Sequence, residues 1–265
     1  MFQSPGDILF RIGDFPIYNY GLTMALACIA GVSVAYILFK KFNPDKNYAA
    51  LWDMSAYVVV AGLLGARLYY CILNPEYYFS NPIEILNFRE GGLSIHGGLI
   101  TGILALIILS LKNKLPVLNV LDAFACGASV GQAIGRWGNF FNSEAYGFPT
   151  DLPWKLYIPL SHRHAQFINF EYYHPTFLYE SILNLCIFAI LWFVMKKYAK
   201  MRPGITLFVY LLLYSVVRIF VEYFRLDSAL DVYGIPIAQI VSGVLILISA
   251  GAIVFLNKKY HSLNG

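Results

Sequence analysis

The sequence predicts an all-α fold of about seven helices that cross a membrane, and three observations predict it. The first is polarity: 58% of the 265 residues are hydrophobic and 13% charged, against roughly 25% charged in soluble domains, and the mean hydropathy is +0.61. The second is a set of apolar runs near 17–39, 49–73, 93–111, 118–141, 176–195, 204–224 and 235–256. Each is close to the ~20 residues that cross about 30 Å of hydrocarbon as a helix. The third is that these runs far exceed the ~9–11 residues of a barrel strand, while only helices and closed barrels satisfy the backbone in lipid.

Before the first run, Met1 to Pro16 carries Asp7, Arg11 and Asp14 but no basic region leading to a small-residue cleavage site. No cleaved signal peptide is expected, and the first span directs insertion. The cysteines Cys28, Cys71, Cys126 and Cys186 lie in apolar runs at spacings unlike a metal site or a disulfide framework, so they are expected to be small buried hydrophobes. Alternate loops differ in positive charge. One side collects Lys40, Lys41, Lys46, Lys112, Lys114, Lys196, Lys197, Lys200, Arg202, Lys258 and Lys259; the other collects Arg11, Arg89, Lys155, Arg163 and Arg225. The richer side is expected in the cytoplasm, with the amino terminus outside and the carboxyl terminus inside. The net charge of +4 reflects this anchoring and carries no implication of nucleic-acid binding.

The first span opens with Tyr20, which suits either the interfacial aromatic belt or a site. Arg67 follows Gly62 and Gly65 near the outer end of the second span, where it can snorkel or serve internally. Loop 74–92 is acidic, with Glu76, Glu84 and Glu90. It leads into Gly91-Gly92-Leu93-Ser94-Ile95-His96-Gly97-Gly98, which sets His96 just below the outer surface. His96 suits a structural hydrogen bond or, with an ordinary pKa near 6.5, a proton transfer.

The fourth span carries Asp122 and then Gly127, Gly131, Gly135 and Gly138 on one face, a pattern for close helix packing. Gly127-Ala128-Ser129-Val130-Gly131 also matches a nucleophile-elbow pattern, which requires a strand-to-helix turn. The span ends in Gly135-Arg136-Trp137-Gly138-Asn139-Phe140-Phe141-Asn142-Ser143-Glu144-Ala145-Tyr146-Gly147. An arginine here is strongly disfavoured unless it meets a partner or a wet cavity. Residues 143–174 are expected to form a small outer cap in which Lys155, His162, Arg163 and His164 are solvated. His174-Pro175-Thr176-Phe177-Leu178-Tyr179-Glu180 then opens the fifth span, with Glu180 at a helix start or paired inside the bundle. The sixth span ends with Arg218, Glu222 and Arg225 on one expected helix face.

Tyr20, Arg67, His96, Arg136, Asn139, Asn142, Glu144, Glu180, Arg218 and Glu222 all fall in the outer half of their spans. A channel or proton relay normally distributes polar groups through the full thickness. Planar guanidinium forks suit phosphate, so the set points to a phospholipid head group approached from the outer leaflet.

The thirteen-residue run from Gly135 to Gly147 resembles the signature of the bacterial phosphatidylglycerol:prolipoprotein diacylglyceryl transferases. Ser94-Ile95-His96-Gly97-Gly98, His174-Pro175-Thr176-x-Leu178-Tyr179-Glu180 and Arg218-x-x-x-Glu222-x-x-Arg225 are similar to that family in the same order. Phe177 departs from it, standing where glutamine is expected. The resemblance implies a single transmembrane catalytic domain over 1–265 in the bacterial cytoplasmic (inner) membrane, its active site toward the outer leaflet. It implies transfer of the diacylglyceryl group of phosphatidylglycerol to the lipobox cysteine of a prolipoprotein signal peptide, the first step of lipoprotein maturation. A thioether forms and glycerol phosphate leaves, with no cofactor, metal or nucleotide. The implied catalytic residues are His96, Arg136, Arg218 and Glu222. The implied substrate-binding residues are Tyr20, Arg136, Asn139, Asn142, Glu144, Gly147 and Glu180, with Glu144 and Glu222 orienting the arginines. Two rivals remain: an intramembrane serine protease built on Ser129 and His96, and a lipid or solute transporter, which would call for inverted repeats or polar groups on the cytoplasmic half.

Overall fold

The computed structural model describes residues 2–88, 91–226, 231–232 and 235–264; Arg89 and Glu90 lie outside the described residues. Long helices form where the apolar runs predict them: α1 Asn19–Phe42, α2 Ala49–Leu73, α4 Ile95–Lys112, α5 Val117–Phe141, α6 Thr176–Tyr198, α7 Ile205–Glu222 and α8 Ile237–Asn264, with a short α3 at Pro75–Ser80. Among the described residues, seven helices are long and apolar enough to cross a membrane. The protein is a multi-pass membrane protein. Short strands accompany the helices: β1 Phe2–Gln3, β2 Ile8–Ile12, β3 Phe15–Tyr18, β4 Leu156–Tyr157, β5 Tyr172–Tyr173, β6 Asp231–Val232 and β7 Ile235–Pro236.

The chain divides into two compact units, Met1–Leu38 with Leu121–Gly265, and Phe39–Val120. In the larger unit α1 runs antiparallel to α5 along the glycine stripe. A Cβ at Gly31 would stand 2.9 Å from the Gly127 carbonyl oxygen and one at Gly131 would stand 3.1 Å from that of Ala27, so only small residues allow this backbone approach. On another side of α5, Trp137 meets Ser181 and Cys126 meets Met195, which makes α6 antiparallel to it. Asp122 accepts hydrogen bonds from the amides of Gly204 and Leu207, both at 2.7 Å. These amides open α7 and have no partner within the helix, so a residue 82 positions earlier caps it. Farther along, Tyr210 donates to Gln132 at 3.0 Å, so α5 and α7 run parallel. The ends of the larger unit are thereby sorted: the starts of α1 and α6 lie with the finishes of α5 and α7.

Between α5 and α6, residues 143–174 fold onto a hydrophobic cluster of Phe140, Tyr146, Leu156, Ile158, Tyr173 and Phe177. Strand β4 pairs in parallel with β1 and antiparallel with β5. Tyr173 donates from its hydroxyl to the Phe167 carbonyl at 2.7 Å, and Tyr146 to that of His162 at 2.7 Å. Burial raises the Tyr173 pKa above its ordinary value, keeping it a donor. His162 and His164 are exposed as expected, but Lys155 and Arg163 are half-buried rather than solvated. Arg163 donates to the carbonyls of Ile158 and Ile168, and the Lys155 ammonium lies 4.3 Å from the centroid of the Tyr172 ring.

In the smaller unit α2 packs antiparallel to α4, with Thr101 Oγ1 donating to the Ala61 carbonyl at 3.0 Å and the Ser94 amide to that of Ala66 at 2.9 Å. Arg67 is 3% exposed, so it does not snorkel. Its Nε donates to Ile85 O at 3.0 Å, its Nη1 to Gly91 O at 2.7 Å and Gly92 O at 3.2 Å, and its Nη2 to Glu84 O. The guanidinium ties loop 74–92 to the end of α2. The cysteines are unpaired; Cys71 and Cys126 are buried as expected, but Cys28 and Cys186 are exposed, because they face outward from α1 and α6.

Candidate active site

Because of the sorted helix ends, Tyr20 at the start of α1, Arg136 and Asn139 at the finish of α5, Glu180 at the start of α6 and Arg218 and Glu222 at the finish of α7 all lie at one end of the larger unit. Glu180, buried in the bundle, places Oε2 2.6 Å from Arg136 Nη2 and Oε1 3.8 Å from Arg225 Nη1. It is therefore paired inside the bundle, and by two cations. Arg218 Nη2 lies 2.7 Å from Glu222 Oε2, the expected one-turn spacing.

Arg225 does not continue that helix face. Helix α7 ends at Glu222, and Arg225 forms a β-bridge with Gly147. The change of direction carries its guanidinium toward Glu180. Arg218 Nη1 is buried and has no hydrogen-bond partner among the described residues, and a buried donor of this kind is costly to leave unsatisfied.

The signature beyond α5 is held by unusual backbone. Ser143 and Ala145 have φ of 52° and 53°, in the left-handed region that bulky residues rarely adopt. Such strain persists where the surroundings over-determine it. Here the Glu144 amide donates to Asn139 O at 3.0 Å, the Asn142 amide to Gly138 O at 3.1 Å, and the Gly147 amide to His174 O at 3.0 Å, while Thr176 Oγ1 donates to the Ala145 carbonyl. The turn sends the exposed Glu144 side chain back to α5, where its Oε1 accepts from Asn139 Nδ2 at 2.9 Å. Glu144 thus orients Asn139, whereas Glu180 and Glu222 hold the arginines.

Gly147 has neighbours that leave no room for a side chain. A Cβ there would stand 2.8 Å from His174 Cβ and closer still to the Phe224 carbonyl oxygen. The Tyr20 ring lies over Gly138, where a Cβ would come within 2.9 Å of Cδ2. Phe177 fills the hydrophobic cluster, 4.8 Å from Phe140 and 5.3 Å from Trp137 between centroids. His96 occupies the first turn of α4 in the smaller unit and is exposed. Ser129 lies within α5 and is 0% exposed, donating to the Cys126 carbonyl at 2.7 Å. It has no strand-to-helix turn, so the nucleophile-elbow pattern lacks the geometry that gives it meaning. Among the described residues no cluster of three or more metal-ligating side chains occurs.

Two groups beside the site escaped the residue reading. Thr176 holds the Ala145 carbonyl, and His174 Nδ1 lies 3.1 Å from the Tyr179 hydroxyl, with its ring 5.4 Å from Phe224. The segment His174-Pro175-Thr176 marked the region but not these contacts. Burial lowers the His174 pKa from its ordinary value.

A family model for prolipoprotein diacylglyceryl transferase matches residues 7–255. The chain belongs to this family. Proteins named phosphatidylglycerol–prolipoprotein diacylglyceryl transferase match it nearly end to end. That of Synechocystis sp. is 43% identical over 261 residues, covering 96% of this chain and 90% of its own length. That of Synechococcus elongatus is 40% identical over 266 residues, covering 99% and 91%, and that of Nostoc sp. is 42% identical over 267 residues, covering 98% and 93%. Two carboxylate-held arginines thus lie beside the family signature, each with one terminal nitrogen engaged by a carboxylate out of the five N–H donors of a guanidinium.

Proposed function

We propose that this chain transfers the diacylglyceryl group of phosphatidylglycerol to the cysteine thiol of a prolipoprotein lipobox, forming a thioether and releasing glycerol phosphate. The observation that carries the reading is the pair of ion pairs, Arg136 with Glu180 and Arg218 with Glu222, next to the family signature. Each carboxylate fixes one edge of a guanidinium and leaves the other for phosphate, a preorganised arrangement that favours charge developing on a leaving group.

In this mechanism Arg136 and Arg218 bind the head-group phosphate. Tyr20, Asn139, Asn142 and Glu144 position the glyceryl portion, and Gly147 lets the backbone of the signature close against Phe224 and His174. The thiol loses its proton, and the sulfur attacks the glyceryl carbon that bears the phosphate oxygen. A C–S bond forms as the C–O bond breaks, and glycerol phosphate leaves with the electron pair of that bond. A cysteine near pKa 8.5 is mostly protonated at neutral pH, so a base accelerates the step; His96 is the candidate. The arginine-bearing end of the larger unit faces the outer leaflet of the bacterial cytoplasmic membrane. Lys196, Lys197, Lys200, Arg202, Lys258 and Lys259 gather at the opposite ends of α6, α7 and α8, as cytoplasmic anchoring favours.

Purified protein incubated with phosphatidylglycerol and a synthetic lipobox peptide tests the reading. Glycerol phosphate and the peptide mass increase should appear together, and both should vanish when the peptide cysteine is replaced by serine. Glycerol phosphate without peptide modification would contradict it in favour of lipid hydrolysis. Near-normal turnover of His96→Gln would remove His96 from the base role.

A further inference from the structure

We propose that the β2–β3 hairpin, residues 8–18, lies immersed in the head-group region of the lipid bilayer, as a lip beside the start of α1. One face of the hairpin is apolar throughout. Phe10 and Ile12, 51% and 65% exposed, alternate onto the same face of β2 beside their cross-strand partners Ile17 and Phe15, and Leu9 and Tyr18, 45% and 49% exposed, add apolar surface around the break in register between Ile8 and Phe10. A strand pair bathed in water instead keeps polar residues on its open face, and an isolated two-stranded hairpin is marginal there.

The depth is bounded from the other side by the backbone. The hairpin is a two-stranded sheet, so each strand has an outer edge whose N–H and C=O groups need water or head groups; hydrocarbon would leave them unsatisfied. Arg11, Gly13 and Asp14 at the turn are exposed as well. The interfacial layer meets both requirements, being apolar enough for the side chains and wet enough for the edges.

The attachment gives the hairpin its place. Tyr18 leads without a break into α1, a membrane-spanning helix. The Asn19 amide donates to Asp7 O at 2.8 Å and its Nδ2 to Gly6 O at 3.0 Å. Ser4 Oγ donates to Phe141 O at 3.0 Å. Both ends of the hairpin are thus fixed to the end of the larger unit that carries Tyr20 and the signature. At about 3.3 Å per residue, the five residues of β2 extend roughly 16 Å from that anchor. A hairpin held in the interface would hold Tyr20 at head-group depth.

The test places a nitroxide at position 12 by Ile12→Cys, with Cys28, Cys71, Cys126 and Cys186 replaced by alanine and folding checked by thermal melting. The protein is reconstituted into vesicles containing phosphatidylglycerol, and collisions with oxygen, which concentrates in the apolar layer, are compared with those of a water-soluble nickel complex. Oxygen collisions in excess are expected. An excess of nickel collisions would overturn the proposal by placing the hairpin in water. Few collisions with either reagent would overturn it by showing the hairpin covered by protein, a second copy included.

A second arm rests on the reaction proposed above, whereas the nitroxide measurement does not. The double change Phe10→Asp and Ile12→Asp should raise KM for phosphatidylglycerol in bilayers about tenfold by weakening interfacial attachment, with kcat kept in detergent on a short-chain lipid. Unchanged KM in bilayers, or an equal loss in detergent, would contradict the role of the lip.

Discussion

Glu180 holds Arg136 at 2.6 Å from a position buried in the helix bundle. The carboxylate sits on α6 and the guanidinium on α5, so the pair fixes where one helix presents its cation to the other end of the signature. Removing one member of a buried pair leaves the other uncompensated, at a cost of about 3–5 kcal/mol. Glu180→Gln should therefore lower the melting temperature and reduce turnover by about 100-fold, since small displacements of positioning groups have effects of that order. Thermal melting and peptide lipidation measured on one preparation check this. A stable variant with wild-type turnover would show that Arg136 needs no orienting carboxylate.

Gly147→Ala should be more damaging than its size suggests. The new methyl group would meet the Phe224 carbonyl and His174 at once, both parts of a bridged backbone that cannot step aside independently. Loss of most activity is expected, with weakened protection of the Gly147 and Phe148 amides in hydrogen exchange. Full activity with unchanged exchange would refute the close-approach account.

Ser129→Ala should leave transfer activity within about twofold of wild type, since a conservative change away from the reacting groups has little effect on rate. Ser129 donates to the carbonyl of Cys126 inside α5. Abolished activity in a folded variant would revive the serine-nucleophile alternative.

The amino-acid pattern made the helices and their polar ends legible because both follow from local composition: hydrocarbon selects the lengths, and charge is tolerated only near water or a partner. Contacts formed by distant residues were not legible. The helical period that puts Arg225 on the α7 face overruns the helix by three residues, for α7 stops at Glu222 and Arg225 turns back to Glu180. Arg67 has no sequence neighbour that reveals its acceptors, which are carbonyls 17 to 25 residues ahead. Asp122 caps a helix through amides 82 and 85 residues away. The β2–β3 hairpin is too short, with its register broken between Ile8 and Phe10, to show strand alternation.

Acid should loosen the packing around residue 174. Burial lowers the His174 pKa, so the unfolded chain binds a proton more readily than the folded one. This contribution to stability is fully present above the unfolded value near about 6.5 and is lost as pH falls below it toward the depressed folded value. His174→Asn should flatten the melting-temperature profile over that window. A wild-type profile that rises on acidification there would contradict the assignment.

The most direct measurement compares Arg136→Ala with wild type in the coupled assay of glycerol phosphate release and peptide lipidation, in preparations shown to be folded. Loss of a phosphate ligand that acts on the leaving group predicts a fall of about 100- to 1,000-fold in both signals together. Wild-type rates would contradict the claim that the Arg136–Glu180 pair forms the centre of the transfer reaction.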